Sequence, residues 1–287
     1  MQDDVQYPVY PKKWRDTCDP FQLKFQRFVL KSVIGYPHAG NDVFHVIGSV
    51  CGREVRAYLK VARREGGIKN EVGLLRQLNQ PVYPKVLDCD EENGAFSVTE
   101  EIQGVRLSEL VGDNGKGESL AYLEEYGAAL AKFHTYRLVS GRQADRKWFH
   151  RPSQETLNRL GLGHLDRFFQ NPLLHGTTVF CHGDFHYANL LWEDGHISAI
   201  LDLELAGYGD RDFDIAWALV RRPGQRFMNT EEEARKFLGG YQKYGVCDVH
   251  AVTYYMAQCY VHYLAYCNDL EYCSYAMEWL SAHCNGK

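Results

Sequence analysis

Asp184, Asn189, Asp202 and Asp214 fall within one segment, residues 181–217, which reads CHGDFHYANLLWEDGHISAILDLELAGYGDRDFDIAW. Asp184 is a carboxylate placed to accept a proton. Asn189 and Asp202 offer the hard oxygen donors that Mg²⁺ takes alongside water and phosphate oxygens. Their proximity follows from the pattern between them: apolar runs at 189–192 and 197–201 flank Glu193-Asp194-Gly195, which predicts a hairpin. Such pairing returns Asp202 to the neighbourhood of Asn189, with Asp184 on the loop leading in. This is the donor set of a phosphoryl-transfer site. The order D-x-x-x-x-N followed by a strand-borne Asp also has the spacing of a kinase catalytic loop and its metal-binding Asp.

The wording around these residues is His182-Gly183-Asp184-Phe185-His186-Tyr187-Ala188-Asn189, then Leu201-Asp202-Leu203-Glu204, then Gly207-Tyr208-Gly209-Asp210 leading to Asp214-Ile215-Ala216-Trp217. It resembles the aminoglycoside phosphotransferase and choline kinase group of small-molecule kinases, specifically over 181–217 and more weakly, in register, over much of the rest. The resemblance implies a two-lobed, protein-kinase-like α+β fold, with an N-terminal antiparallel sheet plus one helix and a larger, mainly helical C-terminal lobe. It implies a phosphotransferase acting on an alcohol group, with ATP (or GTP) and Mg²⁺ bound in the cleft. Asp184 would be the base, Asn189 and Asp202 the Mg²⁺ ligands, and Asp214 a buried brace of the catalytic loop through backbone N–H groups. His134 would be a structural histidine, and His182 would pack beneath the loop. His186 stands where many protein kinases carry a lysine, and would either touch the transferring phosphoryl group or make a packing contact. Glu204 shares a face with Asp202 if the strand continues, and would support the metal site or face substrate.

Other elements must position the phosphates. Residues 1–28 read as an extended arm with a short helix near 21–28, and strands follow at 28–34, 43–50 and 55–61. Gly40 and Asn41, in the loop between the first two strands, can either cradle phosphate oxygens with backbone N–H groups or simply turn a hairpin. Lys60 lies in the apolar run Tyr58-Leu59-Lys60-Val61, where it is either a snorkelling edge residue or a phosphate-directed ammonium. The next element, 67–78, carries Val72, Leu75 and Leu78 at helical spacing together with Glu71. A strand lysine paired with a helix glutamate points an ammonium at the α- and β-phosphates, and the resemblance puts Lys60 and Glu71 in these roles. Glu65 is the rival partner.

Strands at 86–89 and 95–100 run into Glu100-Glu101-Ile102-Gln103-Gly104, and a helical pattern begins at Leu107. The change marks a boundary between a nucleotide-binding lobe, 1–103, and a catalytic and substrate-binding lobe, 104–287. By resemblance this is a hinge near 100–105, whose backbone at Glu101 and Ile102 would meet the adenine edge. Helices are predicted at 120–136, 154–161, 163–169, 214–220 with Asp214 as N-cap, 230–244, 249–268 and 270–283.

Composition narrows the class. With 287 residues, 45% hydrophobic and 24% charged, the chain suits a globular enzyme. A net charge of −5 argues against nucleic acid as partner. The cysteines number nine and include no C-x-x-C pair, so reduced thiols outweigh disulfides or a zinc site. No signal-peptide core or membrane span is evident, and a cytoplasmic location follows; no protein partner is indicated. Only eleven residues separate Asp202 from Asp214, too few for a protein kinase's peptide platform. A metallohydrolase built on His182-x-Asp184-x-His186 would leave Lys60, Glu71, Asn189 and Asp202 unexplained, and a pseudokinase would need a missing essential residue. The acceptor is expected to be a small hydroxyl compound. Acids at Asp248, Asp269, Glu271 and Glu278 among tyrosines of the helical end point to a cationic amino-sugar or amino-alcohol, with a neutral metabolite or sugar as alternative. Service in antibiotic resistance or in metabolism stays open.

Overall fold

The computed structural model describes residues 16–37, 40–63, 66–112, 118–140, 142–144, 151–170 and 176–284. They form two compact units, one of the residues up to Asn79 with Pro84–Glu101, the other of Gln80–Tyr83 with the chain from Ile102.

The first unit is a five-stranded antiparallel sheet, ordered β1 (Phe28–Gly35), β2 (Asp42–Val50), β3 (Arg53–Val61), β5 (Phe96–Glu100) and β4 (Val86–Cys89), with helix α1 (Gly67–Leu78). Alternation sets its faces. Phe44, Val46, Ala57, Leu59 and Val98 pack with Phe28 and Phe96 in one core, which sends Lys60 to the opposite face from Leu59. On α1 the buried residues are Ile68, Glu71, Val72, Leu74, Leu75 and Leu78, so an acid occupies a position where helical spacing calls for an apolar residue.

The arm before β1 differs from the expected helix near 21–28. Within 20–28 a 3₁₀ turn at Pro20–Gln22, capped by Asp19, stands in place of that helix. The buried Asp88 explains the rest, because its Oδ2 accepts the N–H groups of Gln26, Arg27 and Phe28 at 2.7–2.9 Å. That anchor takes up donors a helix would need.

The second unit contains β6 (Val105–Arg106), α2 (Leu107–Leu110), α3 (Leu120–Phe133), α4 (Gln154–Arg159), α5 (Asp166–Gln170), β7 (Thr178–Cys181), β8 (Leu190–Glu193), β9 (His196–Ile200), β10 (Gly207–Asp210), α6 (Arg211–Leu219), α7 (Glu231–Gln242), α8 (Val249–Leu264) and α9 (Leu270–Cys284). Its two small sheets are β6-β8-β9 and β10-β7. The β8–β9 hairpin closes through Asp194 and Gly195, with φ of 51° and 82°, the two left-handed residues that a tight hairpin favours. Helix α7 opens with a capping box between Thr230 and Glu233.

Two expectations need correcting here. Helix α6 starts at Arg211 and is capped by Asp210, whose carboxylate accepts the Asp212 N–H. Asp214 therefore sits inside the first turn rather than at the cap. The chain also does not continue as a strand past Asp202. That residue has φ 64° and ψ 66°, and this left-handed turn leads into a 3₁₀ turn, Leu203–Leu205, so Glu204 does not share a strand face with Asp202. No described helix is long and apolar enough to cross a membrane.

Candidate active site

In the first unit, Lys60 Nζ donates to Glu71 Oε2 at 2.7 Å, with side-chain exposures of only 17% and 7%. The pair accounts for the acid in the buried stripe of α1. A buried carboxylate without a partner is costly; here the strand lysine supplies one. The rival, Glu65, lies outside the described residues.

Gly40 has φ +92° and open space around it, whereas the side chain of Asn41 is engaged, its Oδ1 accepting the Arg63 N–H at 3.1 Å. The neighbouring His38 and Ala39 lie outside the described residues, and with them part of any phosphate cradle. Beside this turn, sequence reasoning passed over Asp42. The residue is buried and accepts from Arg63 Nη2 at 2.7 Å, Arg63 Nε at 3.2 Å, Thr17 Oγ1 at 2.8 Å and the Tyr36 hydroxyl. Burial would raise its carboxyl; these donors outweigh that and hold it below the ordinary range. The N–H of Glu101 donates to Arg56 O at 3.2 Å.

In the second unit the loop 182–189 is fixed from below. Buried Asp214 accepts the His182 N–H through Oδ2 at 2.8 Å and the Gly183 N–H through Oδ1 at 3.0 Å. His134 Nε2 meets the same carboxylate at 3.1 Å, and its Nδ1 lies 2.7 Å from the Tyr241 hydroxyl. Burial pushes the Asp214 carboxyl up, but the hydrogen bond and charge of His134 and the backbone N–H of His182 prevail and keep it below its usual range. His134 thus does more than pack. Gly183 has φ +75°, and a Cβ there would lie 2.3 Å from the Leu205 carbonyl oxygen, so this position in the loop is closed to any side chain.

His182 is fully buried between Phe133 and Phe185. Its Nδ1 accepts the Asp184 N–H at 3.3 Å and its Nε2 faces Leu201 O at 3.1 Å. A lone pair on Nδ1 and a proton on Nε2 satisfy both, and burial lowers its pKa, so the ring is held neutral. With both nitrogens spent, and 182–186 a loop rather than a strand, the His182-Asp184-His186 metal set of a hydrolase loses its geometry.

The loop then presents its oxygens. Asn189 Nδ2 donates to Asp184 O at 3.0 Å, and Leu201 N donates to Asn189 O at 2.8 Å. The amide of Asn189 is oriented by its nitrogen, while Asp202 follows directly after the bond that ties 201 to 189. An amide oxygen and a carboxylate fit the donor preference of Mg²⁺, which uses few protein ligands. Asp184 Oδ1 accepts the Trp217 Nε1–H at 2.8 Å, and His186 Nε2 lies 3.5 Å from the same oxygen. His186 Nδ1 accepts the Ala188 N–H at 3.2 Å, so Nε2 carries a proton and faces Asp184. Trp217 was missed in the sequence, where an aromatic on an apolar helix reads as core.

The acids and tyrosines of the helical end have local occupations. Asp248 caps α8, Asp269 accepts the N–H groups of Glu271 and Tyr272, and Glu271 lies 3.3 Å from Arg221. Tyr254, Tyr260 and Tyr272 are in the core.

A single stretch, residues 35–247, matches the model of the phosphotransferase enzyme family. The chain belongs to that family, and its fold is the α+β, protein-kinase-like one that the motif resemblance implied. Among solved structures it is similar to the streptomycin–ATP ternary complex of APH(2″)-IIa, at TM-score 0.56 and 18% identity over 88% of this chain and 92% of that one. It is also similar to the amicoumacin kinase hAmiN in complex with AMP-PNP, Ca²⁺ and Ami, at TM-score 0.58 and 16% identity over 89% of each. A choline/ethanolamine kinase family protein from Mesorhizobium loti aligns at TM-score 0.54 and 17% identity over 92% and 87%. At these identities the likeness is one of fold. No curated protein sequence matches the chain.

Proposed function

We propose that the protein is a small-molecule kinase that transfers the γ-phosphate of ATP, or of GTP, to a hydroxyl of an amine-bearing acceptor, an amino-sugar or amino-alcohol. The observation that carries this reading is the pair of hydrogen bonds from Asn189 to Asp184 and from Leu201 to Asn189, which gather a carboxylate base and two oxygen ligands onto one braced loop and hairpin. Asp184 takes the acceptor proton as the hydroxyl oxygen attacks the γ-phosphorus and the nucleoside diphosphate leaves. Asn189 and Asp202 would hold Mg²⁺, which neutralises phosphate charge when bound. Lys60, oriented by Glu71, would meet the α- and β-phosphates, with Gly40 and Asn41 near them and His186 beside the transferring group. The backbone at Glu101 and Ile102 would read the base. On this reading residues 1–103 bind nucleotide and 104–287 bind acceptor and carry the chemistry, in the cytoplasm where the nucleotide is supplied. The acceptor class is supported by relatives named for streptomycin, amicoumacin and choline/ethanolamine.

The test is Mg²⁺-dependent turnover of ATP and GTP against pooled aminoglycosides, choline with ethanolamine, and neutral sugar alcohols. We expect an amine-bearing pool to stimulate turnover, and Asp184→Asn to lower it by about 10²- to 10⁴-fold. Stimulation by sugar alcohols alone would replace the acceptor class. No stimulation by any pool would remove the kinase assignment.

A further inference from the structure

The indole of Trp217 is buried and aims its Nε1–H at Asp184 Oδ1. A tryptophan offers a single donor on a rigid ring, and a buried indole N–H needs an acceptor. Here the acceptor is an oxygen of the carboxylate assigned above as base. The ring itself is held on several sides. Arg222 places its guanidinium carbon 4.5 Å from the ring centroid and donates through Nη2 to the Trp217 carbonyl at 2.8 Å. Its Nη1 donates to Val220 O at 3.2 Å, so one arginine covers the last carbonyls of α6, where a cation is favoured, and stacks on the indole. Phe213 lies nearly parallel to the indole, at 14° and 6.5 Å between centroids, and Tyr255 packs edge-on against Phe213.

A carboxylate free to rotate about its last bond spreads its basic oxygens over many directions. Asp184 is not in that position, because Trp217 binds Oδ1 and the Nε2 side of His186 faces the same atom. Resting on the kinase reading, we propose that Trp217 is a positioning residue for phosphoryl transfer. Its N–H pins Asp184 Oδ1, so the carboxylate presents Oδ2 to the acceptor hydroxyl in one orientation. The hydroxyl proton passes to Oδ2 as the oxygen–phosphorus bond forms, and the indole proton stays on its nitrogen throughout. The ring stacked beneath Arg222 would then hold the base rather than only fill space.

Trp217→Phe retains an aromatic ring under Arg222 and removes the N–H. With ATP, Mg²⁺ and the pool that stimulates turnover above, kcat should fall by about 10- to 100-fold. KM for both substrates and the melting temperature should stay close to wild type. In an Asp184→Ala background the same change should have no further effect, since the group it positions is gone. A kcat within twofold of wild type, or an equal fall in both backgrounds, would overturn the proposal. The contact is also readable without turnover. In protein labelled with ¹⁵N at the indoles, the resonance lost in Trp217→Phe should move upfield in Asp184→Ala, and no movement would overturn the proposal as well. Should the wild-type chain phosphorylate no acceptor, the kinase reading fails and the positioning role falls with it. A resonance that still responds to Asp184→Ala would mark that as a failure of chemistry rather than of geometry.

Discussion

At the scale of single residues, Asp214 shows how one buried charge organises the candidate site. Its two oxygens take the N–H groups of His182 and Gly183 and the imidazole of His134, so the buried charge is matched by three donors. Asp214→Asn replaces one acceptor oxygen with a donor facing donors, and should cost roughly 2–4 kcal/mol of stability. The pH dependence has a definite sign. The folded-state pKa lies below the ordinary aspartate value, so the native state binds this proton less readily than the unfolded chain. Stability from the ionised form is therefore complete above about pH 4–5 and is lost as pH falls through the depressed folded value. In urea unfolding series, the gap between wild type and Asp214→Asn should be constant near neutrality and shrink below about pH 4. A gap independent of pH would remove the charge from the explanation. The bracing role was legible by resemblance, but the location was not. Asp210, four residues earlier, has the same side chain and takes the cap.

Helix α3 meets α7 through glycine, an arrangement visible only at the scale of elements. A Cβ on Gly240 would lie 1.9 Å from the Glu124 carbonyl oxygen, and one on Gly127 would lie 2.0 Å from that of Phe237. Both obstacles are backbone, so a side chain can be admitted only by moving one helix away from the other. Gly240→Ala should destabilise the protein by about 2–3 kcal/mol. Its neighbour Gly239 is exposed with nothing near its Cβ position, and Gly239→Ala should be neutral or gain about 0.5–1 kcal/mol from helix propensity. Chemical denaturation of the two variants makes the comparison, and similar losses from both would rule out the close crossing. No local pattern carries such information, since the glycines of α3 and α7 look alike until their partners are known. The hairpin 190–200 was legible because Asp194 and Gly195 declare its turn. Strands β6, β7 and β10 were not, because two to four residues are too short for alternation to register and their partners are distant in sequence. Trp217 was hidden for a related reason: its helix is wholly apolar from Ile215 to Leu219, and only the loop opposite reveals a use for its N–H.

For the whole molecule, the proposed oxygen ligands would decide how metal and nucleotide depend on one another. Asn189 and Asp202 would provide an amide and a carboxylate, with the Glu204 carboxylate within 4.8 Å of that of Asp202, a small donor set for holding Mg²⁺ without phosphate oxygens to complete its shell. Binding to the native state alone stabilises by mass action, about 2.7 kcal/mol at a hundred times the dissociation constant. Millimolar Mg²⁺ by itself should therefore leave the unfolding temperature nearly unchanged. ATP in EDTA should raise it modestly, and ATP with Mg²⁺ should raise it most. Asp202→Asn should keep the unliganded unfolding temperature close to wild type while losing most of the increment that Mg²⁺ adds to ATP. A hydrolase with a resident metal would behave in the opposite way, losing stability to EDTA before any nucleotide was added. Equal shifts with ATP in EDTA and ATP in Mg²⁺ would leave Asn189 and Asp202 without a metal to hold, and would return both side chains to a purely structural account of the loop.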